Sequence, residues 1–376
     1  MKHYIFGAGE MGRRALEALK SENRNVIAFV DNNPDLHGKI VHSLPVVALH
    51  EVDADGMVLI AVGDRLVCEA ISVQVVDAGV KNGYVITPAA LWEGASLFDD
   101  KGQFDPRHVT ELNGKPVLAQ LETHIADHCN LNCRGCFHFS NICTSFLTPL
   151  STFHKDMRQL ATLFSNALRF RIMGGEPLLN PDFHEYCAVA RAAFPYGNIR
   201  LVTNGILLRR ISDEAVKTLR DNKIVIDITP YPPTMRMMED LRHFLTRHEL
   251  MHCLVYGSPQ ETEDVTTFRN FLGEGKAAIP HRAVGCNCAF LRHGQVSKCV
   301  LPFMIHVLND YAGTDYKVDH GDIANIYEID GCAFINFVRR PIPFCSYCRD
   351  EDTVLEWKAT HNDACLSDWV VESGIK

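Results

Sequence analysis

The chain has 376 residues, 47% of them hydrophobic and 22% charged, which suits a folded protein of two or three domains and excludes a largely disordered one. Its 37 Lys and Arg against 46 Asp and Glu leave a net charge of −9, so gripping nucleic acid or an anionic membrane surface is excluded as its main task. No apolar run reaches the ~20 residues of a membrane span. The first residues enter a strand pattern with no signal peptide ahead of it, so a cytoplasmic location is expected.

In chain order, residues 1–88 alternate short apolar runs with helical stretches. The runs are 3–6, 26–30, 57–62 and 84–87. Such alternation predicts a parallel sheet covered on both faces, a small Rossmann-like domain. Gly7, Gly9 and Gly12 fall between the first strand and its helix, and Asp31 follows Gly12 by 19 residues. This is the context of a phosphate-cradling turn with a carboxylate for a ribose, and the four residues are nucleotide-binding candidates. The same glycines also suit a tight turn and close helix packing alone. Residues 89–117, with Gly94, Gly102, Pro106, Gly114 and Pro116, read as a connector with room for a short hairpin. A second alternating series occupies 118–280, with strands expected at 118–125, 170–173, 199–203, 224–229 and 250–256. Helices are expected at 154–166, 185–193 and 213–221. The remainder, 281–376, is cysteine-rich and reads as irregular.

Fourteen cysteines are many for a compartment that keeps thiols reduced, where clustered cysteines read as metal ligands or catalytic groups. Cys68, Cys143, Cys187, Cys253, Cys332 and Cys365 show no pattern and read as small buried hydrophobes. Cys129, Cys133 and Cys136 have the spacing C-x3-C-x2-C directly after a strand. Three thiolates on one loop suit a four-iron, four-sulfur (4Fe-4S) cluster with one iron left open. A closed zinc site would need a fourth ligand, for which His138 is the candidate. A second set, Cys286 or Cys288 with Cys299, Cys345 and Cys348, offers four ligands for another cluster or a zinc ion. A hairpin about Gly294 separates Cys288 from Cys299, and Cys288 is preferred over Cys286 because it lies nearer that turn.

The Cys129–Cys136 loop resembles the signature of the radical S-adenosylmethionine (radical SAM) superfamily. Gly174-Gly175-Glu176-Pro177, Thr203-Asn204-Gly205 and then Asp227 with Thr229 follow in the family's order. The resemblance implies a partial (β/α)6 barrel over 118–280 and a catalytic 4Fe-4S cluster on Cys129, Cys133 and Cys136. It also implies S-adenosyl-L-methionine held by Gly174, Gly175, Glu176, Asn204, Asp227 and Thr229. The residue before the last cysteine is commonly aromatic in the family but is Gly135 here, so Phe137 is the expected substitute beside the adenine. The chemistry implied is reductive cleavage of S-adenosylmethionine, fed by an electron donor such as flavodoxin or ferredoxin, to a radical that takes hydrogen from an unactivated C–H bond. The second cysteine set resembles the twitch module, a shorter relative of the SPASM extension, which implies an auxiliary 4Fe-4S cluster within 281–376. Residues 27–34, with Gly38-Lys39 and Leu44-Pro45-Val46-Val47, are similar to the nucleotide-sugar-binding domain found ahead of bacterial sugar acyltransferases.

Joined, these resemblances imply an oxidoreductase that abstracts hydrogen from a sugar, aminocyclitol or nucleotide-linked sugar and oxidises a carbinol by two electrons. The auxiliary cluster would take the second electron. Gln120, Glu122 and His124 share one strand face, and Glu122 and His124 are the catalytic proton-transfer candidates. Arg171 is placed to hold a phosphate or carboxylate. The other enzyme readings are epimerisation, with Cys253 as hydrogen donor, and peptide maturation. A non-enzymatic iron-sulfur redox sensor is the reading from another class, and the complete series of S-adenosylmethionine motifs speaks against it.

Overall fold

Short, mostly buried apolar strands build two large sheets and two smaller pairs, and the computed structural model describes residues 2–255, 267–360 and 363–371, with side chains outside 267–269. The first sheet has the order Ile40–Val41, Leu44–Val47, Val26–Val30, His3–Phe6, Met57–Ile60, Asn82–Ile86, Val109–Glu111. Its five inner strands are parallel and its two edges antiparallel. Alternate side chains feed opposite faces: Ile5, Phe29 and Leu59 pack beneath helix Glu10–Ser21, while Tyr4, Phe6, Val58 and Ile60 pack on the face of helix Arg65–Asp77.

From His3–Phe6 the chain moves first to one side and then, at Met57–Ile60, to the other. The strand order therefore reverses there, and loops at the carboxyl ends of these two strands diverge around a crevice. Two glycines make the turn possible. Gly7 has φ of 113°, and a Cβ on Gly12 would lie 1.8 Å from the Gly7 carbonyl oxygen.

The expected connector is partly structured. Thr87 caps helix Pro88–Glu93, and Val109–Glu111 becomes the antiparallel edge of the first sheet. Burial of Leu97, Phe98, Val109 and Leu112 draws this stretch onto the sheet, while its glycines only punctuate the turns.

The second sheet runs His252–Leu254, Val225–Ile228, Ile199–Thr203, Phe170–Gly174, Leu121–Ala126, Phe290–Arg292, Gln295–Ser297, Ala324–Asn325. The first six strands are parallel. Helices Leu150–Leu163, Phe183–Ala193, Asp213–Asp221 and Met238–Arg247 lie between the strands in sequence and share one core with them. The strand expected over 118–125 is broken at Ala119-Gln120, because Val117–Leu118 pairs separately with Asn166–Ala167. The last expected strand shortens to His252–Leu254, and Tyr256 lies outside the described residues.

Hairpin Phe290–Ser297 turns through His293 and Gly294, both with positive φ, and adds to the second sheet beside Leu121–Ala126. The C-terminal part is more regular than its sequence suggests. Helix Leu301–Ala312 starts with Pro302, which reads as a breaker yet is tolerated in a first turn, and Gly331–Arg339 is a second helix. Among the described residues, no helix is long and apolar enough to cross a membrane.

Gly12→Ala would drive a methyl group into the Gly7 carbonyl, whereas a Cβ at Gly9 meets nothing within 4 Å. Urea unfolding should show Gly12→Ala destabilised by about 2 kcal/mol or more and Gly9→Ala nearly unchanged. Equal stabilities would refute the close helix–turn contact.

Candidate active site

Four parallel strands of the second sheet, Leu121–Ala126, Phe170–Gly174, Ile199–Thr203 and Val225–Ile228, deliver their carboxyl ends to one place. The Cys129–Cys136 loop leaves the first of them. Residues Asn132 and Gly135 take positive φ on this loop, 49° and 67°. That accounts for the glycine before Cys136: an aromatic side chain there would strain a left-handed backbone.

A distant segment straps the loop. Backbone bonds join Arg134 N to the Lys358 carbonyl (2.9 Å) and Thr360 N to the Asn132 carbonyl (2.8 Å). The Trp369 indole donates to the Cys136 carbonyl (2.9 Å), and the Trp357 indole donates to Cys133 Sγ (3.1 Å). Arg134 Nε donates to the buried Asp368 carboxylate at 2.5 Å.

Across from the loop, Gly174 and Gly175 allow backbone contact. A Cβ on Gly174 would lie 1.9 Å from the Ala126 carbonyl oxygen, and one on Gly175 would lie 2.4 Å from that of His128. Glu176 is fully buried. One carboxylate oxygen accepts from Leu178 N (3.0 Å) and the Thr203 hydroxyl (2.7 Å), the other from Asn204 N (2.8 Å). The Glu176 oxygens thus brace the ends of two strands, and Glu176 is not among the residues lining the adjoining cavity. Asn204 donates to the Asn130 side chain (2.7 Å) and sits 3.8 Å from Cys129 Sγ.

Cys129, Cys133, Cys136, Gly174, Gly175, Asn204 and Thr229 line a cavity of about 340 Å³ with Glu122, Arg171, His138, Tyr231 and Cys288. Asp227 is not among its walls. Its carboxylate accepts from Arg200 (2.6 Å) and from the Cys253 thiol (2.9 Å), and Arg171 approaches at 4.0 Å. Phe137 is likewise committed elsewhere, stacked on Phe271 at 4.0 Å between centroids. The aromatic ring on the cavity is Tyr231, which lies beyond the motifs and was not singled out in the sequence.

The two proton-transfer candidates separate. Glu122 lines the cavity, ion-paired with Arg171 and accepting from Gln120 (3.3 Å). The His124 ring is entirely buried. Its Nδ1 lies 3.0 Å from Asp127, its Nε2 lies 2.6 Å from His138 Nδ1, and Phe290 meets its face edge-on. Strand parity turns His124 inward, but the hairpin and the His138 loop cover it, so His138 faces the cavity in its place. Burial pushes the His124 ring below its usual range and takes His138 down to about 3. Asp127 is held well below the usual carboxylate range, against its burial, by hydrogen bonds from His124 and Arg292.

All fourteen cysteines are free thiols. Burial raises those of Cys129, Cys133 and Cys136, and neighbouring thiols of the loop add to the rise for Cys129 and Cys133. Metal binding would remove the protons these environments retain. Burial likewise raises Cys299, Cys345 and Cys348, and neighbouring thiols add to each rise. Cys288 donates to Cys286, which brings the Cys286 thiol down to about 6. Cys288, the cysteine preferred from the sequence, borders the cavity, and Cys286 is not among its walls. Among the described residues, no three Cys, His, Asp or Glu side chains converge at single-ion spacing.

In the first sheet, Gly7, Gly9 and Gly12 follow strand His3–Phe6, and Asp31 follows its neighbour Val26–Val30. Asp31 accepts from Ala8 N and Asn33 N, both at 2.9 Å, so its carboxylate shapes the turn.

Burial lifts the Glu176 carboxyl from 4.5 to about 7, opposed by hydrogen bonds from Thr203, Asn204 and Leu178. The native state thus holds this proton more tightly than the unfolded chain. Its contribution is full below the unfolded value and lost as pH rises through the folded one. Relative to Glu176→Gln, the wild-type protein should lose about 3 kcal/mol of stability between about pH 4 and pH 8. Parallel pH profiles in chemical denaturation would contradict this.

Residues 123–237 match the family described as the Radical SAM superfamily. GTP 3',8-cyclase of Staphylococcus carnosus is 27% identical over 110 residues, 28% of this chain and 32% of that protein. The enzyme of the same name from Acidothermus cellulolyticus is 32% identical over 113 residues, 29% of this chain and 30% of that protein. The match thus spans about a third of each curated relative. Among solved structures, BtrN in complex with AdoMet and 2-DOIA has a TM-score of 0.42 at 15% identity, over 63% of this chain and 93% of its own. The anSMEcpe structure with bound AdoMet and a peptide has a TM-score of 0.30 at 19% identity, over 37% of this chain and 42% of its own. The segment that matches the Radical SAM superfamily model, 123–237, is the one that carries the cysteine loop and the glycine pair that faces it.

Proposed function

We propose that the chain is a radical SAM oxidoreductase acting on a sugar, aminocyclitol or nucleotide-linked sugar, with oxidation of a carbinol as its reaction. The observation that carries this reading is one cavity bounded by Cys129, Cys133 and Cys136 on one side and by the Gly174-Gly175 backbone and Asn204 on the other. Its volume falls within the range of small-ligand sites. The donor set fits the groups expected: three thiols on one loop for a 4Fe-4S cluster, and polar backbone beside them for S-adenosylmethionine. When bound, these two supply a radical able to take hydrogen from an unactivated C–H bond.

The chain's own residues then have distinct tasks. Arg171 orients a hydroxyl or phosphate of the substrate. Glu122, on the same wall, accepts the proton released in oxidation. The strap over the loop, with Trp357 and Trp369, keeps water from the thiols. Cys288 or Cys286, with Cys299, Cys345 and Cys348, is the twitch-like set for an auxiliary cluster in 281–376, whose role in this reading is to take the second electron. Residues 1–88 serve as the Rossmann-like part, 89–117 as the connector and 118–280 as the partial barrel. A flavodoxin- or ferredoxin-type protein is the reductant in this reading.

Epimerisation is favoured by a separate observation. Cys288 borders the cavity, whereas Cys253 hydrogen-bonds Asp227 and is not among its walls. A thiol at Cys288 is suited to return a hydrogen atom to a substrate radical.

Reconstituted, reduced protein should form 5′-deoxyadenosine from S-adenosylmethionine. The triple Cys129/Cys133/Cys136→Ala variant should lose this and roughly half of its iron. Cys345→Ala with Cys348→Ala should retain some 5′-deoxyadenosine formation and lose oxidised product. Zinc in place of iron at the second set would overturn the electron-acceptor role. Product that disappears in Cys288→Ala alone, with iron unchanged, would establish epimerisation instead.

A further inference from the structure

A second cavity, of about 450 Å³, lies between the two sheets, away from the cysteines. The first sheet contributes the carboxyl ends of Met57–Ile60 and Asn82–Ile86, through Gly63, Arg65, Thr87 and Trp92. The second sheet contributes the opposite ends of its strands, through Arg169, Asn198 and Lys223, each just ahead of a strand. Six cationic side chains line this space and no carboxylate does.

Three of the six are accounted for. Arg107 pairs with Asp105, Arg200 pairs with Asp227 at 2.6 Å, and Arg191 ties down the carbonyls of Asn222 (2.8 Å) and Gly197 (2.7 Å). The other three are not. Among the described residues, Arg65, Arg169 and Lys223 form no salt bridge, and the buried Nε of Arg169 has no hydrogen-bond partner. Burial and the facing cations Arg65 and Arg200 push the Arg169 guanidinium down to about 10, and burial with Arg200 likewise lowers Arg65. Like charges held together in a half-buried cavity repel, and an anion between them removes that cost. Two aromatic rings, Trp92 at 62% exposure and Tyr196 at 50%, stand on the same walls and offer flat faces to a base.

We infer that this inter-sheet cavity binds a nucleoside diphosphate or its sugar conjugate, with the phosphates on Arg65, Arg169 and Lys223 and the base against Trp92 and Tyr196. Arginine forks and a lysine suit diphosphate oxygens, and the volume suits a nucleotide. The site is separate from the glycine turn at Gly7–Gly12, and the inference does not rest on the radical reading.

Calorimetry on the full chain tests this with UDP, pyrophosphate and uridine as probes. UDP and pyrophosphate should bind and weaken with added salt, and uridine should bind at least tenfold more weakly than UDP. Arg65→Gln and Arg169→Gln should each weaken UDP about tenfold or more. Trp92→Ala should weaken UDP and leave pyrophosphate unchanged. Arg65 is a half-buried surface residue, so its variant keeps the test open should Arg169→Gln fail to fold. Gly9→Asp places a carboxylate at the glycine turn, in open space and at a position that favours Asp, and should leave UDP binding unchanged. No diphosphate binding by the folded protein overturns the inference, as do unchanged affinities in both arginine variants or loss of binding in Gly9→Asp.

Discussion

The candidate site depends on a contact between two stretches of backbone. At the end of Phe170–Gly174 the chain comes so close to Ala126 and His128 that no side chain fits at Gly174 or Gly175. The hydrogen bonds from Gly175 N to the Ala126 carbonyl and from Glu176 N to that of His128 seal the approach. Because the cysteine loop begins directly after His128, this contact fixes the root of the loop relative to the neighbouring strand. Glu176 then ties that strand to the next through Thr203 and Asn204. Three strand ends and one loop thus become a single rigid rim. Desolvating a carboxylate is the cost of building it.

A row of charges crosses the interior of the second sheet. Glu122 pairs with Arg171, Arg171 approaches Asp227, and Asp227 pairs with Arg200. One end of this row stands in the cysteine cavity and the other in the cationic cavity between the sheets. Each member neutralises the next, which explains how four charged groups lie within a largely apolar fold. Paired charges of this kind tolerate the loss of one member poorly, because the survivor is left buried and unpaired.

The sequence made local features legible and distant ones opaque. Helix Asp213–Asp221 carries its own signals, a Ser212 cap and acidic residues in the first turn, and the strands of both sheets announce themselves as apolar runs. The cysteine loop and glycine pair were visible because their spacing is local. Tyr231 was hidden, since nothing in its neighbourhood tells which way a loop side chain will face, and His138 drew notice only for its closeness to the cysteines. His124 obeyed strand parity, yet parity says nothing of the hairpin and loop that cover it. The edge strand Val109–Glu111 was masked by turn residues on both sides. The C-terminal part, read as irregular from its cysteines, nonetheless carries helix Leu301–Ala312, whose Pro302 lies in the first turn, where it breaks nothing.

The strap over the cysteine loop also imposes an order of events. Trp357 meets Cys133 across 224 residues of chain, and Arg134 meets Asp368 across 234. A ribosome adding about 5–20 residues per second needs on the order of 10 to 50 seconds to make that interval. Throughout it, the nascent loop has its three thiols without the indoles and backbone partners that later enclose them. Closure of the loop by these partners can therefore come only after the far segment has been made.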